Sequence, residues 1–484
     1  MSRIADIRYA NAVLQWDQET YLPVNSANAR GQQIATLSEL AHEQFSSPLL
    51  GDLLIDLNEN QDLNEKEKRN VTLTLEDYRK NKKYSGAFVR GMSEQINRTF
   101  HSWMEARKKN SFAVMQAELG KLLDLKKEES HILGFERHIY DAHLNEHDRG
   151  VTVEFADKIF AGLKPILKET LNTIQSKRDQ GIKVDWGMPK DIQWNLGMDI
   201  LKLMGFDFTA GRQDISEHPF TISFHPSDVR ITTRINESDF SGMLWSCIHE
   251  GGHGLYEQGL PQDQYGLPLG EAASLSIHES QSRLWENNIG RSRAFCNMLL
   301  SRLVELMPER FGKVTEDTFY AAANVVQPSF IRTEADEVTY HHHVIIRYEL
   351  EKNLLEGTLK IEDLPFYWNQ AYKEQLGIIV PDDNLGCLQD VHWSHGSFGY
   401  FPTYTLGSLY AVQFFDTYVK SEPEWQQDVA SGNFKPLKNW LSTNIFPYGR
   451  YYNSLELCNN CTGESLNTSR FSAYLNEKFK SIVQ

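Results

Sequence analysis

The sequence predicts a mainly α protein carrying one small β-sheet. Apolar residues recur at helical spacing through most of the chain, charged runs alternate with apolar positions, and one short stretch alternates residue by residue. Between about residues 64 and 130, runs such as Glu65-Lys66-Glu67-Lys68-Arg69 read as solvated helix faces rather than partner-binding patches. From Phe155, the apolar residues Ile159, Leu163, Ile166, Leu167, Leu171 and Ile174 follow at three- and four-residue steps, one face of an amphipathic helix. The exception starts where Phe220, Ile222 and Phe224 alternate. His225-Pro226-Ser227-Asp228 then offers a turn, and alternation resumes at Val229, Ile231, Thr233 and Ile235. Two period-2 runs about a turn predict a β-hairpin near 219–235. Immediately behind it, Ser238 or Asp239 can cap a helix carrying Phe240, Leu244, Ile248 and Leu255 on one side.

The 484 residues contain no internal repeat, low-complexity tract or Pro/Gly-rich linker, so one large body is predicted over 1–484. The 49 basic against 65 acidic side chains give −16, and no basic cluster stands out, which argues against a nucleic-acid partner. No apolar run of signal-peptide length follows Met1, and no stretch approaches the roughly 18 apolar residues of a membrane span. No membrane partner is expected, and the chain reads as soluble and cytoplasmic. Five cysteines, few and odd in number, fit a reducing compartment. Cys458-Asn459-Asn460-Cys461 has redox spacing but lacks the second pair of a zinc ribbon.

His249-Glu250-Gly251-Gly252-His253 lies within the helix predicted behind the hairpin. Histidines four apart share one helix face, so both imidazoles reach one cation. Glu250 sits round the helix from His249, close enough to serve as general base without being a ligand. Gly251, Gly252 and Gly254 each cost about 1 kcal/mol relative to alanine inside a helix, which points to close approach by a neighbouring element or a ligand. Catalytic zinc takes three protein ligands and leaves one position open. Downstream, the predicted helical stretch 271–288 offers Glu271, Glu279 and Glu286, and spacing alone does not choose among them.

The string Ser276-Ile277-His278-Glu279-Ser280-Gln281-Ser282-Arg283, with the HEGGH run, resembles the carboxypeptidase Taq family of metallocarboxypeptidases. His218-Pro219-Phe220 matches its HPF block, and Asp228-Val229-Arg230-Ile231-Thr232 its DxRxT block. Ile331 to Tyr340 matches IRxxADExTY, and Gly386 to Trp393 matches GxxQDxHW. Trp16-Asp17-Gln18-Glu19-Thr20 is similar to the family's N-terminal signature. The resemblance implies Glu279 as the third ligand of a zinc ion that cobalt can replace. It also implies a zincin body of the neurolysin kind with a deep groove, a catalytic core over about 216–410 between helical parts, and a homodimer.

The reaction so implied is removal of single residues from peptides with a free C-terminus, with broad side-chain tolerance. Metal ligands His249, His253 and Glu279 and the general base Glu250 form its centre. For the oxyanion, the stretch Gly399 to Tyr404 supplies candidates, with Tyr404 first and Tyr400 beside it. A guanidinium fork suits the terminal carboxylate. Arg332 is the first choice and Arg230 the second, each against an ion-pair role with Asp336 or Asp228. His218, His278, Asp390 and His392 are read as ligand-orienting, packing or substrate-contacting groups. The run His341-His342-His343 reads as a partly exposed helix face with His343 towards substrate. Two other readings compete: an oligopeptidase cutting internal bonds, and a peptide-binding scaffold with a vestigial metal site.

Overall fold

The structure, a computed structural model, describes residues 1–177 and 184–480. The chain divides into two compact units and passes through each three times. The first comprises Met1–Asn81, Ile182–Ala323 and Tyr410–Leu466, the second Lys82–Gly181, Asn324–Leu409 and Asn467–Gln484. Such interleaving leaves no linker for composition to reveal. Both units are mainly helical, with one three-stranded sheet in the first. Among the described residues no helix is long and apolar enough to cross a membrane.

In the first unit the predicted hairpin is present. Strands β1 (Gly211–Ile215), β2 (Thr221–His225) and β3 (Asp228–Thr233) lie in the order β1-β3-β2, with β2 antiparallel to β3 across a Pro226-Ser227 turn. β1 runs parallel to β3 and was not predicted, because Gly-Arg-Gln-Asp-Ile carries almost no apolar signal. Its buried polar side chains are instead partnered: Gln213 donates to Cys247 Sγ, and Asp214 accepts from Arg212 and from the Tyr21 hydroxyl. Val229 and Ile231 of β3 are fully buried.

The helix Ser241–Gly259 follows. It begins later than the sequence suggested, after Phe240, and Asp239 accepts from the Ser241 amide at 2.9 Å without being the cap residue. Phe240, Leu244, Ile248 and Leu255 are all within 1% of full burial, as the periodicity required. Its glycines mark contact sites. A Cβ on Gly252 would lie 2.6 Å from the Gln281 carbonyl oxygen and 2.8 Å from Ser282 Cα, and one on Gly254 would meet Phe206 and Ile231. The segment against Gly252 is the helix Leu275–Arg283, continued by wider π-type winding over Leu284–Gly290. Helical structure therefore starts at Leu275, and Glu271 lies outside it, paired with Arg450 at 2.8 Å.

In the second unit, the helix Val153–Lys177 buries Ile159, Leu163, Leu167, Leu171 and Ile174. The helix Thr339–Glu356 is enclosed on nearly every side, which corrects the reading of 341–343 as a partly exposed face: His341, His342 and His343 are 1%, 3% and 0% exposed. Each imidazole has a partner at Nδ1, in Thr405, Gln375 and Tyr372 respectively, while Nε2 of His342 and of His343 is buried without one. Further along that helix, fully buried Glu351 accepts from the Tyr140 hydroxyl, Trp393 Nε1 (2.7 Å) and the Gly399 amide (2.9 Å). Burial, opposed by the three donors, leaves this carboxyl raised to about 7.

Two outcomes follow. Gly252→Ala forces a methyl into the Gln281 backbone and is expected to destabilise by about 1–3 kcal/mol, whereas Gly242→Ala, whose methyl meets open space, is expected to be neutral or stabilising. Thermal unfolding of both variants checks this. Glu351 holds its proton more tightly in the fold than in the unfolded chain. Its contribution is therefore complete below about pH 4.5 and lost as pH rises to about 7, about 3 kcal/mol in all. Denaturant titrations from pH 4.5 to 8 should show a flatter stability profile for Glu351→Gln than for wild type.

Candidate metal centre

Within the first unit, the four-residue spacing and the Gly252 contact bring three side chains together. His249 Nε2 lies 3.6 Å and His253 Nε2 3.4 Å from Glu279 Oε2, and the ligand atoms of the three residues all fall within 4.8 Å of one another. The imidazoles stand nearly perpendicular, with ring centroids 4.9 Å apart. Glu279 is 6% exposed. Its Oε1 accepts from Arg283 Nε at 2.6 Å, which leaves Oε2 facing the two nitrogens. This donor set, two imidazoles and a carboxylate, suits a divalent transition metal with a position left open.

The outer atoms of both imidazoles are also engaged. His249 Nδ1 lies 2.8 Å from Glu286 Oε2, and Glu286 is itself held by Arg283 (3.3 Å) and Arg291 (3.6 Å). His253 Nδ1 lies 2.5 Å from His278 Nδ1, whose Nε2 is 2.7 Å from Glu257 Oε1. Of the three glutamates open as third ligand, Glu279 reaches the imidazoles directly, Glu286 reaches only the back of His249, and Glu271 is elsewhere. Glu257 was missed, although it continues the four-residue stripe His249, His253 along one helix face.

Electrostatics agree with a cation at this point. Burial opposes charge on Glu279, yet Arg283 and the two histidines hold it well below the usual carboxylate range. Glu286, likewise against its burial, is brought down to about 2 by Arg283 and His249. Burial, with His278 alongside, lowers His253 to about 3, so its ring is neutral as a ligand must be. Against its own burial, His249 is raised by Glu279 and Glu286, so the carboxylates around this point favour a positive charge there.

Glu250 is 7% exposed and accepts a 2.6 Å hydrogen bond at Oε2 from the Thr221 hydroxyl of β2. Burial raises its carboxyl above the ordinary value, with His249 and Thr221 opposing. Nothing in the sequence marked Thr221, since a threonine in a strand has an ordinary structural reading. Arg230 forks onto Asp228 at 3.1 Å through two nitrogens and stacks 4.2 Å from the Trp16 ring, so its charge is paired locally as the ion-pair reading had it. His218 is exposed between β1 and β2, and its carbonyl accepts from Ser216.

In the second unit, Arg332 pairs with Asp390 at 2.9 Å, not with Asp336. Asp336 is taken up by the amides of Gln327, Val338 and Thr339. Asp390 also takes Arg347 Nε at 2.6 Å, so one carboxylate serves two guanidiniums and a positive charge remains in surplus. The Arg332 guanidinium sits 4.8 Å from the Tyr404 ring. Tyr404 is partly exposed, its hydroxyl 3.1 Å from His392 Nε2, and Tyr400 packs 5.3 Å from it. His343 does not join the accessible groups. It is fully buried against the Tyr372 hydroxyl at 2.8 Å.

The family model of the carboxypeptidase Taq (M32) metallopeptidases matches residues 1–479. The chain belongs to that family. It is 36% identical to carboxypeptidase 1 of Bacillus subtilis (strain 168) over 487 residues, covering 100% of this chain and 97% of that relative. A solved structure described as that of CHT is 54% identical with a TM-score of 0.97, covering 99% of this chain and 97% of its own. The M32 carboxypeptidase of Deinococcus radiodurans R1 is 36% identical, also with a TM-score of 0.97, at 100% and 97% coverage. The M32 chain described here is therefore a metal-dependent carboxypeptidase, a hydrolase of peptides, in which a divalent metal is implied.

Glu286→Gln keeps the shape of the His249 support while removing its charge. Isothermal titration with cobalt(II) is expected to show 10- to 100-fold weaker binding for this variant.

Proposed function

We propose that this carboxypeptidase uses zinc held by His249, His253 and Glu279, with Glu250 as general base, to release C-terminal residues one at a time. The observation that carries this reading is the convergence of two Nε2 atoms and one Oε2 atom beside a buried, raised carboxyl. When bound, the cation supplies Lewis-acid polarisation of the scissile carbonyl and acidifies water at its open position. Glu250 takes the proton of the attacking water on its carboxylate and passes it to the leaving amine. A raised carboxyl suits both halves of that exchange, because it must hold the proton between the two steps. The Thr221 hydroxyl holds Oε2, which leaves Oε1 as the oxygen to take the water's proton.

For the substrate's terminal carboxylate, Arg332, although buried at 5% exposed, is favoured over Arg230 on charge. The Asp228–Arg230 pair is neutral by itself, whereas Asp390 shared between Arg332 and Arg347 leaves uncompensated positive charge. Tyr404 and Tyr400, partly exposed and polar at one end, are the proposed groups for the oxyanion and neighbouring substrate atoms. Broad specificity, a cytoplasmic location, homodimers and acceptance of cobalt in place of zinc rest on the family resemblance and belong to the same proposal.

Glu250→Gln is expected to retain the metal while losing about 10²–10⁴ in kcat. Metal analysis with steady-state hydrolysis of a dipeptide-capped substrate checks both halves. A second measurement compares peptides with free and amidated C-termini: only the free acids should be trimmed, and equal cleavage would favour an oligopeptidase.

A further inference from the structure

The two imidazoles of the centre are supported in different ways. Behind His249 stands a carboxylate, Glu286, with two arginines at its back. Behind His253 stands another imidazole, His278, at 2.5 Å, and only beyond it a carboxylate, Glu257, at 2.7 Å. No arginine backs Glu257 in the described residues. It lines instead a cavity of about 400 Å³ with Arg8, Tyr9, Thr221 and Glu271, where there is room for water to solvate it.

Donor and acceptor roles along this line follow from the need for His253 Nε2 to keep a lone pair for the cation. An ionised Glu257 only accepts, so His278 Nε2 carries the proton of the 2.7 Å contact. With a cation on His253 Nε2, the proton of the 2.5 Å contact sits on His253 Nδ1, so His278 Nδ1 accepts it and His278 Nε2 donates to Glu257. That tautomer leaves the lone pair of His253 on Nε2, the atom facing Glu279. Reversing the order would put a proton where the cation must bind.

We propose that His278 and Glu257 are positioning residues that set the tautomer and orientation of His253 through a Glu257–His278–His253 hydrogen-bond relay. The proposal rests on the reading of His253 as a metal ligand. Neither residue touches the cation or the substrate's reacting atoms; each acts through the ring of His253. Because a neutral imidazole is a weaker acceptor than a carboxylate, His253 gains less electron density from behind than His249 does. The centre is therefore electronically asymmetric.

Equilibrium dialysis of the full chain against cobalt(II) with a competing chelator tests the relay, together with the visible cobalt spectrum at saturation. Leucine at His278 removes the acceptor while keeping bulk. Asparagine there restores an acceptor on the atom attached to Cγ, where Nδ1 stood. The expected results are a 10- to 100-fold loss of cobalt affinity in His278→Leu with an altered spectrum, recovery of most of the affinity in His278→Asn, and an intermediate loss in Glu257→Gln. Unfolding midpoints of the metal-free variants identify any loss that comes from misfolding, and Glu257→Gln, at the cavity wall, tests the relay if His278→Leu does not fold. Wild-type affinity and an unchanged spectrum in both His278→Leu and Glu257→Gln would overturn the relay. Failure of the wild type itself to bind cobalt, or undiminished binding in a His253→Ala control, would instead overturn the ligand assignment beneath it.

Discussion

The centre depends on one steric allowance: at Gly252, the backbone of the His249 helix and the backbone of the Glu279 helix meet with no side chain between them. Any Cβ there would collide with a carbonyl oxygen and an α-carbon, neither of which can rotate away. Glutamate is not a long side chain, and its carboxylate must reach two imidazoles on the facing helix. A separation set by glycine brings Oε2 within 3.6 Å of both Nε2 atoms. Gly251 and Gly254 seat the other sides of the same helix against Leu201, Met204, Phe206 and Ile231, so the histidine face is fixed in rotation as well as in distance. Three glycines weaken a helix on their own account. Tertiary packing offsets that weakness here, and the return is placement of the ligand atoms.

Charge then decides what the placement is for. Packing carboxylates around two imidazoles is unfavourable unless cations intervene, and Arg283 and Arg291 meet that need only on the Glu279 and Glu286 side. Arg283 has a further effect: by taking Oε1 of Glu279 it leaves Oε2, which also accepts from the Ser282 hydroxyl at 3.0 Å, as the oxygen facing the imidazoles, which favours a single-atom contact with a metal. Glu250 belongs to the same buried group but faces Thr221 rather than an arginine. It is therefore the carboxyl best able to exchange a proton, whereas Glu279 and Glu286 are held ionised.

Much of this was legible in the sequence, for identifiable reasons. His249, Glu250 and His253 follow from helical periodicity, and the glycines announced the close approach because their helix-breaking tendency needed a cause. The hairpin was visible because β2 and β3 alternate. β1 was not, since its buried side chains are glutamine and aspartate that find polar partners instead of apolar ones. Glu279 was one of three possibilities until the family resemblance selected it. Glu286 and Glu257 owe their positions to the meeting of two helices, and only the i+4 stripe through Glu257 left a trace along the chain. The histidine run at 341–343 misled because three imidazoles read as polar, while in the fold each ring is buried with an internal hydrogen bond at Nδ1. The two-unit division was hidden by its interleaving.

The most direct test of this account is anomalous diffraction at the zinc edge from crystals of the metal-loaded protein. The account predicts one peak per chain, about 2.0–2.2 Å from His249 Nε2, His253 Nε2 and an oxygen of Glu279. A peak bound by other residues, or Glu279 turned away from the ion while both histidines hold it, would contradict the account.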